Sequence, residues 1–254
     1  GILNSRILRK IAESIARLAY ATSKAITLIS PAYVDTIVNK YEVDPHKVHI
    51  VPAGVDLDNF KTFANEEEKE EDIFKVLYIG ALSPAYDFDY VLKAARLLAS
   101  ESGVRFLIQG EGDLSNSLQV KVREMGLQNV EVVLKVVTRV EVAELLSSAD
   151  ALLLPLRSYD YAGISSKLYE YQAAGKPILC CSGGQPARYV SETKSGIVVE
   201  PGDYEALAKS ILSLKENQCL AKKLGASGRR YVEKTLTIEK IGSKMGGIFR
   251  SVMT

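Results

Sequence analysis

The chain has few residues of the kinds that build metal centres, disulfide frameworks or hydrolytic triads. Its 254 residues include two histidines, His46 and His49, and three cysteines, Cys180, Cys181 and Cys219. Two lone histidines make neither a zinc site nor a hydrolase triad by themselves. Cys180 and Cys181 are adjacent in an apolar stretch, which indicates buried, reduced thiols. We therefore predict no metal site and no disulfide.

Neither sign of charge is in excess. The sequence has 32 Lys and Arg residues against 31 Asp and Glu, a formal net charge of +1. Nucleic-acid binders normally show a basic excess, so that class is disfavoured. No apolar run reaches the ~18 residues that a membrane span needs, and the start carries no secretory signal pattern. We expect a cytoplasmic protein, and the opening on Gly1 leads us to expect further residues upstream.

The first 60 residues predict a helix and short strands. Ile7, Ile11, Ile15 and Leu18 recur at helical spacing. The same helix carries four basic residues, Arg6, Arg9, Lys10 and Arg17. They allow two interpretations: a solvated helix face, or peripheral contact with the anionic inner surface of the cell membrane. In "SPAYVDTIVNKY", Ser30 and Pro31 predict the start of a second helix. The acidic run "NEEEKEED", 65–72, predicts an exposed loop.

From residue 75 onward, apolar strands alternate with helical patterns. Strands are predicted at 75–80, 105–110, 130–134, 151–156, 177–181 and 196–200, with helices between them and a helical tail. This alternation is typical of a parallel sheet covered on both faces. The predicted fold class is therefore α/β, with a Rossmann-like, doubly wound parallel sheet.

Ligands of such sheets bind at the carboxyl ends of the strands, so the turns there are the candidate binding segments. Gly80 ends the first strand, and Gly110 and Gly112 follow the second. These glycines allow close approach of a ligand or serve only the turns themselves. The turn "GALSPAYD" lacks the G-x-G-x-x-G fingerprint, which disfavours an NAD-dependent dehydrogenase, and no G-x-x-x-x-G-K-[ST] motif is present.

The turn "AGISSK" leads into the helix "KLYEYQAAG" and carries the most specific chemistry. A helix N-terminus presents free N–H groups and the positive end of the dipole, which suits phosphate. Lys167 at that end is unfavourable unless an anion offsets its charge. Glu170, one turn on, can accept two hydrogen bonds from a vicinal diol such as ribose. A simple Lys167–Glu170 surface pair is the alternative.

Six segments, in order, resemble the donor-binding half of GT-B-fold retaining glycosyltransferases, the family 4-like group 1. They are "VHIVPAGVDLDNF", "VLYIGALSPAYDFDYVLKAARLL", "FLIQGEGD", "VAELLSSADALLLPL", "KLYEYQAAGKPIL" and "GGQPARYVSETKSGIVVEPGDYEALAKSI". The resemblance covers about residues 20 to 235. It is strongest to surface-polysaccharide transferases with an S-K-x-Y-E-Y motif.

The resemblance implies a domain organisation. Residues 1–53 would be the remnant of an N-terminal acceptor domain, residues 54–235 the nucleotide-sugar-binding domain, and residues 236–254 a helix crossing back to the N-terminal domain. The implied activity is hexosyl transfer, with retention of configuration, from a UDP-sugar or GDP-sugar to a glycan or lipid-linked acceptor, without a required cofactor. A nucleotide-sugar epimerase and a non-catalytic nucleotide-sugar-binding module are the alternatives.

The resemblance also implies the site residues and shows three departures. The family glutamate that binds ribose falls on Glu170, whereas its partner, which contacts the donor sugar, falls on Ala162. The family's diphosphate-binding Arg and Lys fall on Ala81 and Tyr86, so Lys167 is expected to supply that charge. Lys135 and Val136 would meet the base, and Tyr159, Asp160 and Tyr161 would face the sugar. The expected catalytic residues are Lys167 and Glu170, and the full donor site adds Gly80, Ala81, Gly110, Gly112, Lys135, Val136, Gly163, Ile164, Ser165 and Ser166.

Overall fold

The structure is a computed structural model that describes residues 5–60, 73–101, 103–157 and 163–253. The strands are β1 Ile26–Leu28, β2 Val48–Ile50, β3 Phe74–Ile79, β4 Val104–Gln109, β5 Val130–Val133, β6 Ala151–Pro155, β7 Ile178–Cys181 and β8 Gly196–Val199. The helices are α1 Arg6–Thr22, α2 Phe88–Leu97, α3 Ser115–Glu124, α4 Arg139–Ser148, α5 Ser166–Ala173, α6 Gly184–Thr193, α7 Tyr204–Glu216, α8 Gln218–Thr235 and α9 Ile238–Met253.

The larger sheet has six parallel strands in the order β5-β4-β3-β6-β7-β8. From β3 the chain moves outward through β4 to β5 and then returns to place β6 on the other side of β3. The direction of winding therefore reverses between β3 and β6, which opens a crevice at their carboxyl ends. The predicted α/β, doubly wound parallel sheet is confirmed.

Continuous apolar sequence explains the central position of β6 and β7. Every residue of both strands is buried, because helices cover both faces of the sheet. One face packs under α2 and α7 around residues such as Phe106 and Leu153. The other packs under α4 and α5 around residues such as Leu152 and Tyr171. Truncating Leu152, which is fully buried, to alanine would cost about 2–5 kcal/mol.

A separate two-stranded parallel sheet, β1 with β2, precedes the large sheet. Chain segments from the two ends of the protein meet beside it. Val55 N–H donates to Leu236 O at 2.8 Å, and Ile238 N–H donates to Val55 O at 3.2 Å. Lys24 Nζ donates to Val252 O at 2.7 Å, so the end of α9 contacts the chain just before β1. The domain limits given above stay predictions.

The segment after Ser30 departs from the predicted helix. Ser30 does cap the turn, with its side chain accepting from Ala32 N–H at 3.3 Å. A 3₁₀ turn, Pro31–Tyr33, is then followed by a π-helical turn, Thr36–Lys40, rather than by an α-helix. Several β-branched residues crowd this segment, and their stiff side chains lower the stability of regular α-helix.

Candidate functional site

The crevice between β3 and β6 is lined by two glycine turns that touch each other. Gly80 follows β3 with φ +138°, and Gly110 follows β4 with φ +144°, conformations that favour glycine. A Cβ at Gly110 would overlap the Gly80 carbonyl, and a Cβ at Gly80 would overlap the Lys167 ammonium. The two glycines therefore allow the end of β4 to pack against the end of β3, and the end of β3 to pack against the Lys167 side chain.

Lys167 reaches from the start of α5 to the end of β3. Its Nζ donates to Ile79 O at 2.7 Å. No ion pair joins Lys167 to Glu170 among the residues that the structure describes, so the simple surface pair is not the arrangement adopted. Because an ammonium has three donors and Ile79 takes one, two remain for other acceptors.

Two tyrosines surround the ammonium. Lys167 Nζ lies 5.3 Å from the ring centroid of Tyr78 and 5.9 Å from that of Tyr86. The two rings meet edge to face at 5.2 Å, and Tyr78 OH donates to Ala81 O at 2.6 Å. Arg157 fixes the same turn, because its Nε donates to Pro84 O at 3.1 Å. The aromatic faces attract the cation and hold it at the strand end.

Both ionisable side chains of α5, Lys167 and Glu170, lie where burial disfavours the charged form. Burial lowers the pKa of Lys167, and the Glu170 carboxylate partly offsets this. Although Glu170 is exposed as a residue, withdrawal of its carboxyl from water raises its pKa, against the opposing charges of Lys167 and Arg139. Two groups whose pKa values are shifted by desolvation in one cleft mark a functional-site candidate.

The N-terminus of α5 presents backbone donors to the crevice. Ser165 is the N-cap residue, but its side chain makes no capping hydrogen bond. Leu168 N–H donates back to Ser165 O at 3.0 Å, so the N–H groups before it lie outside the helix ladder. Gly163 is buried and Ile164 packs on the core below, while Ser166 is exposed. This end of α5 can receive an anion.

Ala81 and Gly112 lie in two turns that interlock at the same end of the sheet. Leu82 N–H donates to Glu111 O at 2.9 Å, and Leu114 N–H donates to Leu82 O at 2.9 Å. Gly112 N–H is occupied by Ser115 Oγ at 2.9 Å. Ala81 is exposed, with its carbonyl bound by Tyr78. The turns are therefore rigid supports for the crevice.

The loop between β5 and α4 carries Lys135 and Val136. Lys135 Nζ pairs with Glu141 Oε1 at 3.0 Å, while the Val136 side chain is 73% exposed. Thr138 and Glu141 form a capping box that fixes the entry to α4. Acceptance of the Thr138 N–H lowers the pKa of Glu141 to about 2. The Lys135 side chain is thus engaged by Glu141, while the Val136 side chain and the backbone of this loop remain accessible to a ligand.

Two residues at the carboxyl end of the sheet, Tyr78 and Gln109, were not predicted as site candidates. Tyr78 lies within a buried apolar strand, one residue before its end, and nothing in the sequence pattern marks it. Gln109 is a polar residue in the otherwise apolar end of "RFLIQG", and that contrast could have drawn attention to it. The predicted sugar-facing residues Tyr159, Asp160 and Tyr161, together with Ala162 and the acidic run 65–72, lie outside the described residues.

Two absences concern the part of the chain that the structure describes. No helix there is long and apolar enough to cross a membrane. No group of three or more His, Cys, Asp or Glu side chains there could hold a metal ion. Cys180 and Cys181 are buried free thiols, as predicted, and Cys219 is an exposed one.

Comparison with known proteins places the chain in a family. A D-inositol 3-phosphate glycosyltransferase of Geodermatophilus obscurus is 28% identical, over 77% of this chain and 45% of that protein. A GDP-mannose-dependent monoacylated alpha-(1-6)-phosphatidylinositol monomannoside mannosyltransferase of Corynebacterium glutamicum is 27% identical, over 96% of this chain and 64% of that protein. The chain thus spans roughly half to two thirds of these relatives.

The fold has a solved counterpart. Sucrose-phosphate synthase from Thermosynechococcus elongatus superposes with a TM-score of 0.77 at 20% identity, covering 99% of this chain and 64% of that one. Residues 59–231, which include the crevice and α5, match the family profile described as glycosyl transferases group 1. The chain therefore belongs to the glycosyl transferases group 1 family.

Proposed function

We propose that the chain is the donor-binding part of a retaining hexosyltransferase that uses a UDP-sugar or GDP-sugar. The observation that carries this proposal is the Lys167 ammonium, held at the end of β3 by Ile79 O. It lies at the point where the sheet reverses direction, beside the N-terminus of α5. A diphosphate bound there would meet a full positive charge and free backbone N–H groups together.

The position of this ammonium accounts for the absence of the family's Arg and Lys. Those residues would project from positions 81 and 86, which here are alanine and tyrosine. Lys167 Nζ lies against the Tyr86 ring and against Gly80, the residue before Ala81. One lysine from α5 thus brings positive charge to the place that two side chains of the β3–α2 turn would otherwise supply. This supports Lys167 as the diphosphate ligand.

Glu170 and the β5–α4 loop provide for the nucleoside. Glu170 lies one turn after Lys167 on α5, so a ligand with its diphosphate at Lys167 places its ribose near this carboxylate. As a carboxylate it accepts hydrogen bonds from both ribose hydroxyls. The backbone around Lys135 and Val136 would meet the base, since the Lys135 side chain is taken by Glu141.

The chemistry required of this site is stabilisation of a leaving group. The bond between the sugar C1 and the diphosphate oxygen breaks, and the diphosphate keeps the electron pair. The acceptor hydroxyl oxygen forms the new bond to C1, and its proton passes to the departing diphosphate oxygen. Lys167 and the N-terminus of α5 stabilise the charge that develops on the diphosphate. We propose that the reaction needs no metal ion.

The acceptor is proposed to be a glycan or a lipid-linked glycan of a surface polysaccharide, bound chiefly by a domain to which residues 1–53 belong. Residues 236–254 would cross back to that domain, in keeping with the contact of Lys24 and Val252. Four apolar side chains of α1 are at least half exposed; they are Ile7, Ile11, Ile15 and Leu18. With the basic residues of α1, they support a cytoplasmic protein in peripheral contact with an anionic membrane.

A ligand screen and a transfer assay test this function. Thermal-shift measurements with UDP-, GDP- and ADP-sugars should raise the melting temperature for one base, because binding stabilises the native state. The full-length protein should then transfer the sugar with retained anomeric configuration. Interconversion of the sugar without transfer would indicate an epimerase. Binding without turnover of donor would indicate a non-catalytic module, and stabilisation by no nucleotide sugar would refute the proposal.

A further inference from the structure

Gln109, the last residue of β4, has a side chain without a hydrogen-bonding partner in the described residues. The residue is 4% exposed. Its carbonyl accepts from Gly80 N–H at 2.9 Å, but its side-chain amide makes no hydrogen bond with any residue that the structure describes. The Gln109 amide atoms are not among the fully buried side-chain atoms that lack a partner. The side chain is therefore enclosed along its length while its amide keeps contact with solvent, which leaves that amide open to a ligand.

Gln172 shows how the same side chain is treated elsewhere in the protein. It is fully buried on α5, and its amide nitrogen donates to Thr193 Oγ1 and Ser195 Oγ, both at 3.0 Å. Its amide oxygen accepts from Tyr189 OH at 2.6 Å. The protein therefore satisfies the Gln172 amide with its own hydrogen bonds, whereas the Gln109 amide stays open at the carboxyl end of the sheet.

The position of Gln109 relates it to the proposed donor site. Side chains alternate along a strand, so Gln109 shares a face with Leu107, which packs in the core under α4 and α5. In register, Gln109 lies between Ile79 of β3 and Val133 of β5. The Ile79 carbonyl accepts a hydrogen bond from the Lys167 ammonium, and Val133 is followed by the loop that contains Lys135. Gln109 thus lies between the proposed diphosphate and base subsites.

We propose that the side-chain amide of Gln109 hydrogen-bonds the nucleoside part of the bound nucleotide. This inference rests on the proposed function. An amide carries both a donor and an acceptor, and only a ligand group offering both satisfies it fully. A diphosphate offers acceptors alone, whereas ribose hydroxyls and base edges offer both. The nucleoside is therefore the part of the donor that fits Gln109.

The substitution Gln109→Met tests this inference because methionine has nearly the same shape and cannot hydrogen-bond through an amide. Binding is measured by calorimetry with the monophosphate and the diphosphate of the base that the wild type binds. We expect about 3- to 10-fold weaker binding of both nucleotides, by the same factor for each, as for loss of one neutral hydrogen bond. Lys167→Met should instead weaken the diphosphate more than the monophosphate.

Thermal unfolding without ligand supplies the second readout, with Gln172→Met as the matched control. Because the Gln109 amide keeps contact with solvent and makes no hydrogen bond with the described residues, Gln109→Met should leave the melting temperature close to that of the wild type. Gln172→Met should lower it, because three hydrogen bonds are lost and two of their partners, Tyr189 and Ser195, stay buried.

Three results would overturn the inference alone. They are unchanged nucleotide affinity in Gln109→Met, a larger loss for the diphosphate than for the monophosphate, and a fall in melting temperature like that of Gln172→Met. The last would show that the amide has a structural partner in the folded protein. A wild-type chain that binds neither nucleotide would refute the proposed function and this inference with it.

Discussion

Replacing Lys167 with methionine removes the positive charge of the crevice and keeps most of the side-chain volume. The ammonium donates to Ile79 O and rests against two tyrosine rings. Its loss therefore removes one internal hydrogen bond and its contacts with the rings, and it also relieves a charge whose pKa is lowered by burial. These effects oppose each other, so we expect the stability to change by no more than about 1 kcal/mol.

The expected loss of affinity is much larger. Two N–H groups of Lys167 remain for phosphate oxygens, and a hydrogen bond to a charged group contributes about 1.5–3 kcal/mol. A Coulomb energy of about 4 kcal/mol for unit charges ~4 Å apart at an effective dielectric of ~20 sets the upper limit. A loss of about 2–3 kcal/mol corresponds to roughly 30- to 150-fold weaker binding of the nucleoside diphosphate.

Calorimetry on the wild type, Lys167→Met and Lys93→Met measures this difference. Lys93 is the matched control, because its ammonium also lies over a tyrosine ring, 5.7 Å from the Tyr204 centroid, outside the crevice. Lys93→Met should bind UDP or GDP as the wild type does. The reasoning fails if Lys167→Met keeps its diphosphate affinity, or if it loses as much affinity for the unphosphorylated nucleoside as for the diphosphate.

Three other predictions concern a carboxylate, the thiols and a helix cap. Glu170→Gln should remove discrimination between ribo- and 2′-deoxyribonucleotides, and a mutant that still discriminates would contradict this. Because the pKa of Glu170 is raised, the nucleotide affinity of the wild type should fall as pH drops through a value above the pKa of free glutamate. Burial raises the pKa of Cys181 to about 12, so a thiol reagent should modify only Cys219 in the native protein. Mass spectrometry of the labelled protein measures this, and labelling of Cys181 before unfolding would contradict it. Glu141 has a depressed pKa of about 2, so its contribution to stability is present above the pKa of free glutamate and lost as pH falls toward 2. Glu141→Gln should then destabilise at pH ~6 more than at pH ~3 in urea titrations, and equal effects at both would refute this.

Most of the fold could be predicted from the pattern of apolar strands. β6 and β7 are continuous apolar runs, and such runs between helical segments specify buried parallel strands. The departure occurs at Thr36–Lys40, where the choice between an α-helix and a π-helical turn depends on small differences in local crowding. Short segments with weak helix formers leave that choice to tertiary contacts.

The sequence pattern predicted candidate residues for the site, but it could not predict their contacts. Lys167 stood out because a lysine at a helix N-terminus conflicts with the helix dipole. Its bond to Ile79 O joins residues 88 positions apart, and this depends on how α5 settles over the junction of β3 and β6. Likewise, Gln109 is a single polar residue at the end of a strand, and only the packed structure shows that its amide has no partner among the described residues.

A crystal structure of the protein with UDP or GDP bound tests the central claim most directly, since it shows which atoms meet the diphosphate. The account predicts a diphosphate oxygen within about 3.2 Å of Lys167 Nζ, a hydrogen-bonding distance, at the N-terminus of α5. A diphosphate bound away from this crevice, with Lys167 Nζ still directed only at Ile79 O, would contradict it.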